Sequence, residues 1–149
     1  MQQARNCWPV LVRKAQEAVT EAQAEITQAL SRVEQLQASH ARLCNLYDEY
    51  RLQESRSDAT VMGMQASMNH RQFMAQLLNL QQRVVADLGK AQATLTQMRK
   101  QRLLAEVELH KMQSLAEQDA RAVAREVLRY EQRQMDELGV RQFNMGSLH

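Results

Sequence analysis

The sequence predicts an all-α chain: an elongated antiparallel two-helix coiled coil, or helical hairpin. Three observations carry that expectation. Among 149 residues there are one proline, four glycines and six aromatics, the helix-former profile of a coiled coil or long hairpin. From Val12 to Tyr50 a seam recurs in alternating steps of three and four, through Val12, Ala15, Val19, Ala22, Ile26, Ala29, Val33, Leu36, His40, Leu43, Tyr47 and Tyr50. Such a heptad seam places a helix against a second helix. Near the middle, a polar stretch without period, Glu54 to Thr60, separates this helix from a second long helical pattern. A connector that is short relative to its helices makes them antiparallel neighbours. Mean hydropathy is −0.55, so the chain has enough apolar residues for a seam and too few for a wide core.

The elements follow in order within one domain, residues 1–149. Residues 1–7 are polar and expected to fray. Pro9, the only proline, suits a first helical turn, where its missing N–H is not needed. Helix 1 is expected over about 9–54. Its seam has one row that is β-branched at Val12, Val19, Ile26 and Val33, and another of Ala15, Ala22 and Ala29 that turns large at Leu36 and Leu43. The small row allows close helix approach near the N-terminus. His40 is a polar break that fixes register. The turn is expected over about 55–68. Asn69 followed by Gln72 resembles a capping box, so helix 2 is expected over about 69–138. Gly139 is expected at C′, followed by a C-terminal tail, 139–149. Gly89, inside helix 2, costs about 1 kcal/mol against alanine.

The second seam runs Leu88, Ala91, Leu95, Met98, Arg102, Ala105, Leu109, Met112, Ala116. It then takes two steps of four around Ala120, a stutter, and continues to Val123, Val127 and Tyr130. At 1.5 Å per residue, helix 1 spans roughly 70 Å and helix 2 roughly 105 Å. Folded back, helix 2 is expected to overshoot the start of helix 1.

Charge and motif content exclude several function classes. The formal net charge is +2. Residues 61–149 hold twelve Lys/Arg and nine Asp/Glu, too mild a bias to argue for nucleic acid. Cys7 and Cys44 have no metal-type spacing, and no signal-peptide core follows the N-terminus, so the expectation is a cytosolic chain with reduced thiols. No run approaches the ~20 apolar residues that cross a bilayer. There is no phosphate-binding glycine loop and no nucleophile–base–acid set. Glu106 and His110 are four apart, not the three of a di-metal bundle site. No enzyme, cofactor or metal is expected.

Two surface features remain. Residues 73–88 carry two apolar stripes. Met74, Leu78, Val85 and Leu88 suit the seam; Phe73, Leu77, Leu80 and Val84 form a neighbouring set. A two-helix hairpin buries one narrow stripe, so the surplus set, with Leu43, Leu46 and Tyr50 facing it from helix 1, is a candidate docking patch. A wide seam or a helix from a second chain is the alternative occupant. The other feature is Arg121, Arg125, Arg129 and Arg133, a one-sided basic row at i, i+4. It is either a solvated face or a site for an acidic partner.

Taken together, several segments resemble a known family. They are Leu43-x-x-Leu46-Tyr47-x-Glu49-Tyr50-Arg51, then Met68-Asn69-x-x-Gln72-Phe73-x-x-x-Leu77, and a terminal Gln134-Met135-Asp136-Glu137. Their order and separations resemble the FliJ family of the flagellar type III export apparatus over almost the whole chain. The resemblance implies an antiparallel coiled coil similar to the rotary ATPase gamma-subunit stalk, in the cytoplasm at the inner-membrane face. It implies insertion of the end bearing both termini in the hexameric export ATPase FliI. It implies engagement of the export gate FlhA by a patch near the turn, and escort of the substrate chaperones FlgN and FliT. By motif match the gate patch is Leu43, Leu46, Tyr50, Phe73, Leu77, Leu80 and Val84. The family pattern often has an aromatic at Leu46 and a smaller residue at Leu80. The ATPase-facing end, Arg121, Arg125, Arg129 and Arg133, rests on charge and geometry. A monomer in isolation is expected, with no nucleic acid and no membrane insertion.

Three alternatives stay open at this point. One is the related injectisome stalk, YscO-like. A second is a generic homodimeric parallel scaffold, which requires residues 52–68 to stay helical. The third is a nucleic-acid or anionic-surface binder acting through the arginine row.

Overall fold

The computed structural model describes residues 7–57 and 63–147. Two helices, α1 (Cys7–Ser57) and α2 (Met64–Ser147), pack against each other as an antiparallel hairpin, with no strand among the described residues. Both exceed their expected bounds. Pro9 is the third residue of α1, still in the first turn, where backbone N–H groups have no intrahelical acceptor. The expected turn shrinks, and residues 58–62 of it lie outside the described residues. Gly63 is non-helical, against the continuous helix that a parallel scaffold requires.

Neither expected boundary signal in helix 2 acts as one. Ser67 N donates to Gly63 O at 3.2 Å, closing a turn ahead of Asn69, so Asn69 is interior and caps nothing. The helix also runs through Gly139 to Ser147. No glycine among the described residues has a positive φ, and a C′ cap depends on that left-handed backbone. One glycine costs about 1 kcal/mol and does not by itself stop a helix when no proline follows.

The chain divides into two compact units, residues 21–102 and residues 1–20 with 103–149. In the first, the expected seam of α1 holds at every position from Ala22 to Tyr50, each buried or half-buried. On α2 the matching row is Ser67, His70, Met74, Leu77, Gln81, Val84, Leu88, Ala91, Leu95, Met98 and Arg102. This row keeps the three-four alternation without a slip. Its centre is Ile26, Val33 and Leu95, packed by Ala29, Leu30, Leu88, Ala91 and Met98.

Polar seam residues mark the register. Gln81 Nε2 donates to Leu43 O at 3.3 Å. Arg102 Nη1 donates to Gln23 Oε1 at 2.7 Å. Stepping back 20 residues on α1, from Leu43 to Gln23, matches stepping forward 21 on α2, from Gln81 to Arg102. That match is the antiparallel register.

In the second unit, Trp8, Val12, Ala15 and Val19 carry the α1 seam. On α2 Ala105, Leu109, Met112, Ala116, Asp119, Val123 and Val127 are half-buried, with Ser114 and Leu115 beside them. Ala120 and Tyr130, expected in the seam, are exposed. Asp119 keeps the heptad, and the consecutive fours fall later, from Asp119 to Val123 to Val127. A search for apolar residues alone passes over that aspartate. From Leu128 to Gly146 every residue is exposed, roughly five helical turns.

A Cβ at Gly89 meets nothing within 4 Å, and the backbone there is helical. Gly89→Ala therefore raises stability by about 0.5–1 kcal/mol, read as a higher urea midpoint at unchanged slope. A lower midpoint contradicts an open helical site at Gly89.

Candidate functional site

The first candidate surface lies where α1 ends and α2 begins, within residues 21–102. Sequence periodicity offered two stripes on α2, and the structure mixes them. Leu77 is 3% exposed and Val84 is half-buried; both came from the stripe expected outside. Leu78 and Val85, expected in the seam, are exposed. The physical reason is Gln81. A glutamine is an unpromising seam residue until its amide finds a partner, and here the Leu43 carbonyl accepts its N–H. With Gln81 admitted, Met74, Leu77, Gln81, Val84 and Leu88 form one unbroken heptad row.

The remaining apolar side chains sort by edge. Phe73, 36% exposed, and Leu80, 44% exposed, rim one edge of the seam. Leu46 and Tyr50 are half-buried on α1. The Tyr50 and Phe73 rings pack with centroids 4.6 Å apart at an interplanar angle of 54°, a tilted arrangement favoured by ring quadrupoles. His70 completes the cluster, 6.1 Å from the Tyr50 ring. Its Nε2 lies 3.5 Å from Glu54 Oε2 without the alignment of a hydrogen bond, so the contact is ionic only when the imidazole is protonated. Of the seven residues matched to the gate patch, Phe73 and Leu80 stand out to solvent. Leu43, Leu46, Tyr50 and Val84 are half-buried, and Leu77 is the floor. Such an apolar ledge over a packed floor suits docking of another protein's side chains. An open hollow lined by Gln76, Asn79, Leu80 and Arg83 adjoins it.

The second candidate surface lies on α2 among residues 103–149. Arg121, Arg125, Arg129 and Arg133 are all exposed. Arg121 Nη2 bonds Glu117 Oε1 at 2.8 Å. Among the described residues no acid lies within ion-pair distance of Arg125, Arg129 or Arg133. Beside this row runs a stripe that the sequence reading passed over: Leu128, Met135, Leu138 and Met145, all exposed and spaced seven, three and seven. That spacing continues a heptad with no partner helix. The missed signal was partial, since Glu131 and Gln142 take the two remaining positions of that heptad. Tyr130, Val140 and Phe143 are exposed as well, so apolar side chains are spread around this solvent-facing stretch of α2.

Among the described residues no group of three or more His, Cys, Asp or Glu could hold a metal ion, and no helix is long and apolar enough to cross a membrane. Cys44 Sγ lies 3.7 Å from His40 Nε2, a contact along one face of α1. A family model described as flagellar FliJ protein matches residues 9–147. No curated relative and no solved structure gives a significant match.

The division between floor and ledge is measurable. Leu77→Ala removes a fully packed seam residue and costs about 2–4 kcal/mol. Leu80→Ala, at a half-exposed position, costs less than about 1 kcal/mol. Urea denaturation of the two variants separates them. Equal losses contradict the assignment of Leu77 to the seam.

Proposed function

The chain belongs to the flagellar FliJ protein family, and we propose that it works as the non-enzymatic stalk linking the export ATPase to the export gate. Membership makes it a component of the flagellar export apparatus. The finer roles rest on the two surfaces. The observation that carries them is the fully exposed stretch of α2 that holds the arginine row together with Leu128, Met135, Leu138 and Met145. A lone helix with a basic edge and a heptad stripe is suited to a socket with acidic and apolar walls. The FliI hexamer is the socket that family membership offers. Arg121, Arg125, Arg129 and Arg133 act there by charge, and the leucines and methionines by contact.

The apolar ledge is the surface for the export gate FlhA. Phe73 and Leu80 supply exposed contact area. Tyr50 holds Phe73 in place by ring packing. Leu77 supports the ledge from beneath. The chaperones FlgN and FliT are carried as partners by family membership alone.

The two arms of the reading are separable. Arg125→Glu with Arg129→Glu reverses the charge of the row and leaves the seam intact. It should lower FliJ-dependent assembly and turnover of purified FliI by at least about tenfold, with gate binding unchanged. Phe73→Ala with Leu80→Ala should weaken binding to the soluble part of FlhA by at least about tenfold, with circular dichroism and ATPase stimulation unchanged. Wild-type behaviour of the arginine variant in the ATPase assay removes the socket assignment. Undiminished gate binding by the second variant removes the ledge assignment.

A further inference from the structure

Where α1 ends and α2 begins, the seam closes on a polar pair instead of an apolar one. Glu54 of α1 and His70 of α2 face each other, with His70 Nε2 3.5 Å from Glu54 Oε2. The His70 side chain is 17% exposed and that of Glu54 46%. The Nε2 atom itself is buried and makes no hydrogen bond. A buried polar atom left without a partner costs free energy, and most such atoms have one.

The contact has opposite sense in the two charge states of the ring. A neutral imidazole turns toward the carboxylate either a lone pair, which repels it, or an N–H that is not aligned to bond it. An imidazolium attracts it by charge, which does not require that alignment. Histidine is the side chain that ordinarily makes this change between about pH 5 and 8. The attraction is therefore present at mildly acid pH, while Glu54 is still ionised. It is lost as pH rises and His70 gives up its proton.

Few other groups face this ring. From α1 it meets Tyr50, whose ring centroid is 6.1 Å away. Along α2 its neighbours one turn away, Ala66, Ser67, Phe73 and Met74, carry no charge. Arg51 and Arg71 are exposed, and among the described residues no base besides His70 lies within ion-pair distance of Glu54. Tyr50 precedes Glu54 by four residues and Phe73 follows His70 by three. Glu54–His70 and Tyr50–Phe73 are thus successive rungs between the same two helix ends. Beyond His70 only Ser67 continues the α2 seam among the described residues, so little apolar packing holds these ends together.

We infer that Glu54 and His70 form a pH-operated latch. The protonated imidazole ties the end of α1 to the start of α2 and firms the Tyr50–Phe73 rung; the neutral imidazole releases it. The latch itself stands on this geometry, and its consequence for partner binding rests on the ledge being the gate surface. Glu54 is partly solvated, which screens the pair, so the effect on local opening is modest, roughly threefold.

Amide hydrogen exchange of the full chain reads the latch, expressed as protection factors so that the intrinsic pH dependence of exchange cancels. From about pH 8 to about pH 6, protection of residues 50–57 and 64–73 should rise roughly threefold. The rise should follow the titration of the His70 ring resonances. His70→Gln and Glu54→Gln should each keep the helix content and lose the rise, although the other histidines remain in both. Unchanged protection in the wild-type chain, or the same rise in either variant, overturns the latch. In parallel, the affinity of the wild-type chain for the soluble part of FlhA, relative to His70→Gln, should be roughly threefold greater at the lower pH. A latch seen by exchange without that difference in affinity upholds the latch and counts against the ledge as the gate surface.

Discussion

Everything in this molecule depends on one narrow apolar seam closed between two helices of the same chain. A pair of helices hides about two positions per heptad and leaves the rest wet. The most buried side chains, Ile26, Val33, Leu36, Leu77 and Leu95, all lie on that line. Little apolar area is available to offset the conformational entropy of ordering two long helices. The polar seam members therefore have outsized consequences. Gln81 bonded to the Leu43 carbonyl and Arg102 bonded to Gln23 each favour one alignment. A slip by a heptad strands both groups without their partners, at a cost larger than the bonds themselves contribute. Specificity of register is the role best attested for such polar residues in coiled coils.

The same narrowness shapes the surface. A seam two side chains wide presents long faces at fixed spacing, and three exposed apolar faces stand out here. Near the connection the face is a ledge of Phe73 and Leu80 beside Tyr50. Further along α2 it is the trio at Leu103, Leu104 and Val107, and then the arginine row with its heptad stripe. At the ledge, seam and surface share side chains. Tyr50 is a seam residue by position and a ledge residue by its contact with Phe73. A change at Tyr50 thus acts on both, whereas changes at Leu80 act on the surface alone.

Much of this was legible in the sequence, and the misses have physical causes. All twelve positions of the α1 seam were readable, because apolar residues fill eleven of them and the three-four rhythm never slips. The α2 seam was readable from Leu88 to Ala116 for the same reason. It failed on either side, where Gln81 and Asp119 take seam positions. Polar residues look like surface until a partner is known, and that partner is set by the fold. Those two exclusions pushed Leu77 out of the seam, drew Leu78 and Val85 in, and moved the stutter to Ala120. Asn69 and Gly139 were read as boundaries from residue type. A cap acts through backbone geometry, and neither residue has that geometry here. Of the candidate surfaces, the arginine row stands exposed as expected. Among the residues matched to the patch, Phe73 and Leu80 are exposed and Leu77 is buried, a division that periodicity alone does not separate.

The central claim is that the two helices of one chain satisfy each other's seam and leave the outer faces free. Sedimentation equilibrium of the full chain across a wide concentration range tests it most directly. A single species near the chain mass of 17.2 kDa, with helix content independent of dilution, is the expected result. A species of twice that mass, losing helix content as it dissociates, would mean that the seam is closed between chains and would contradict the account.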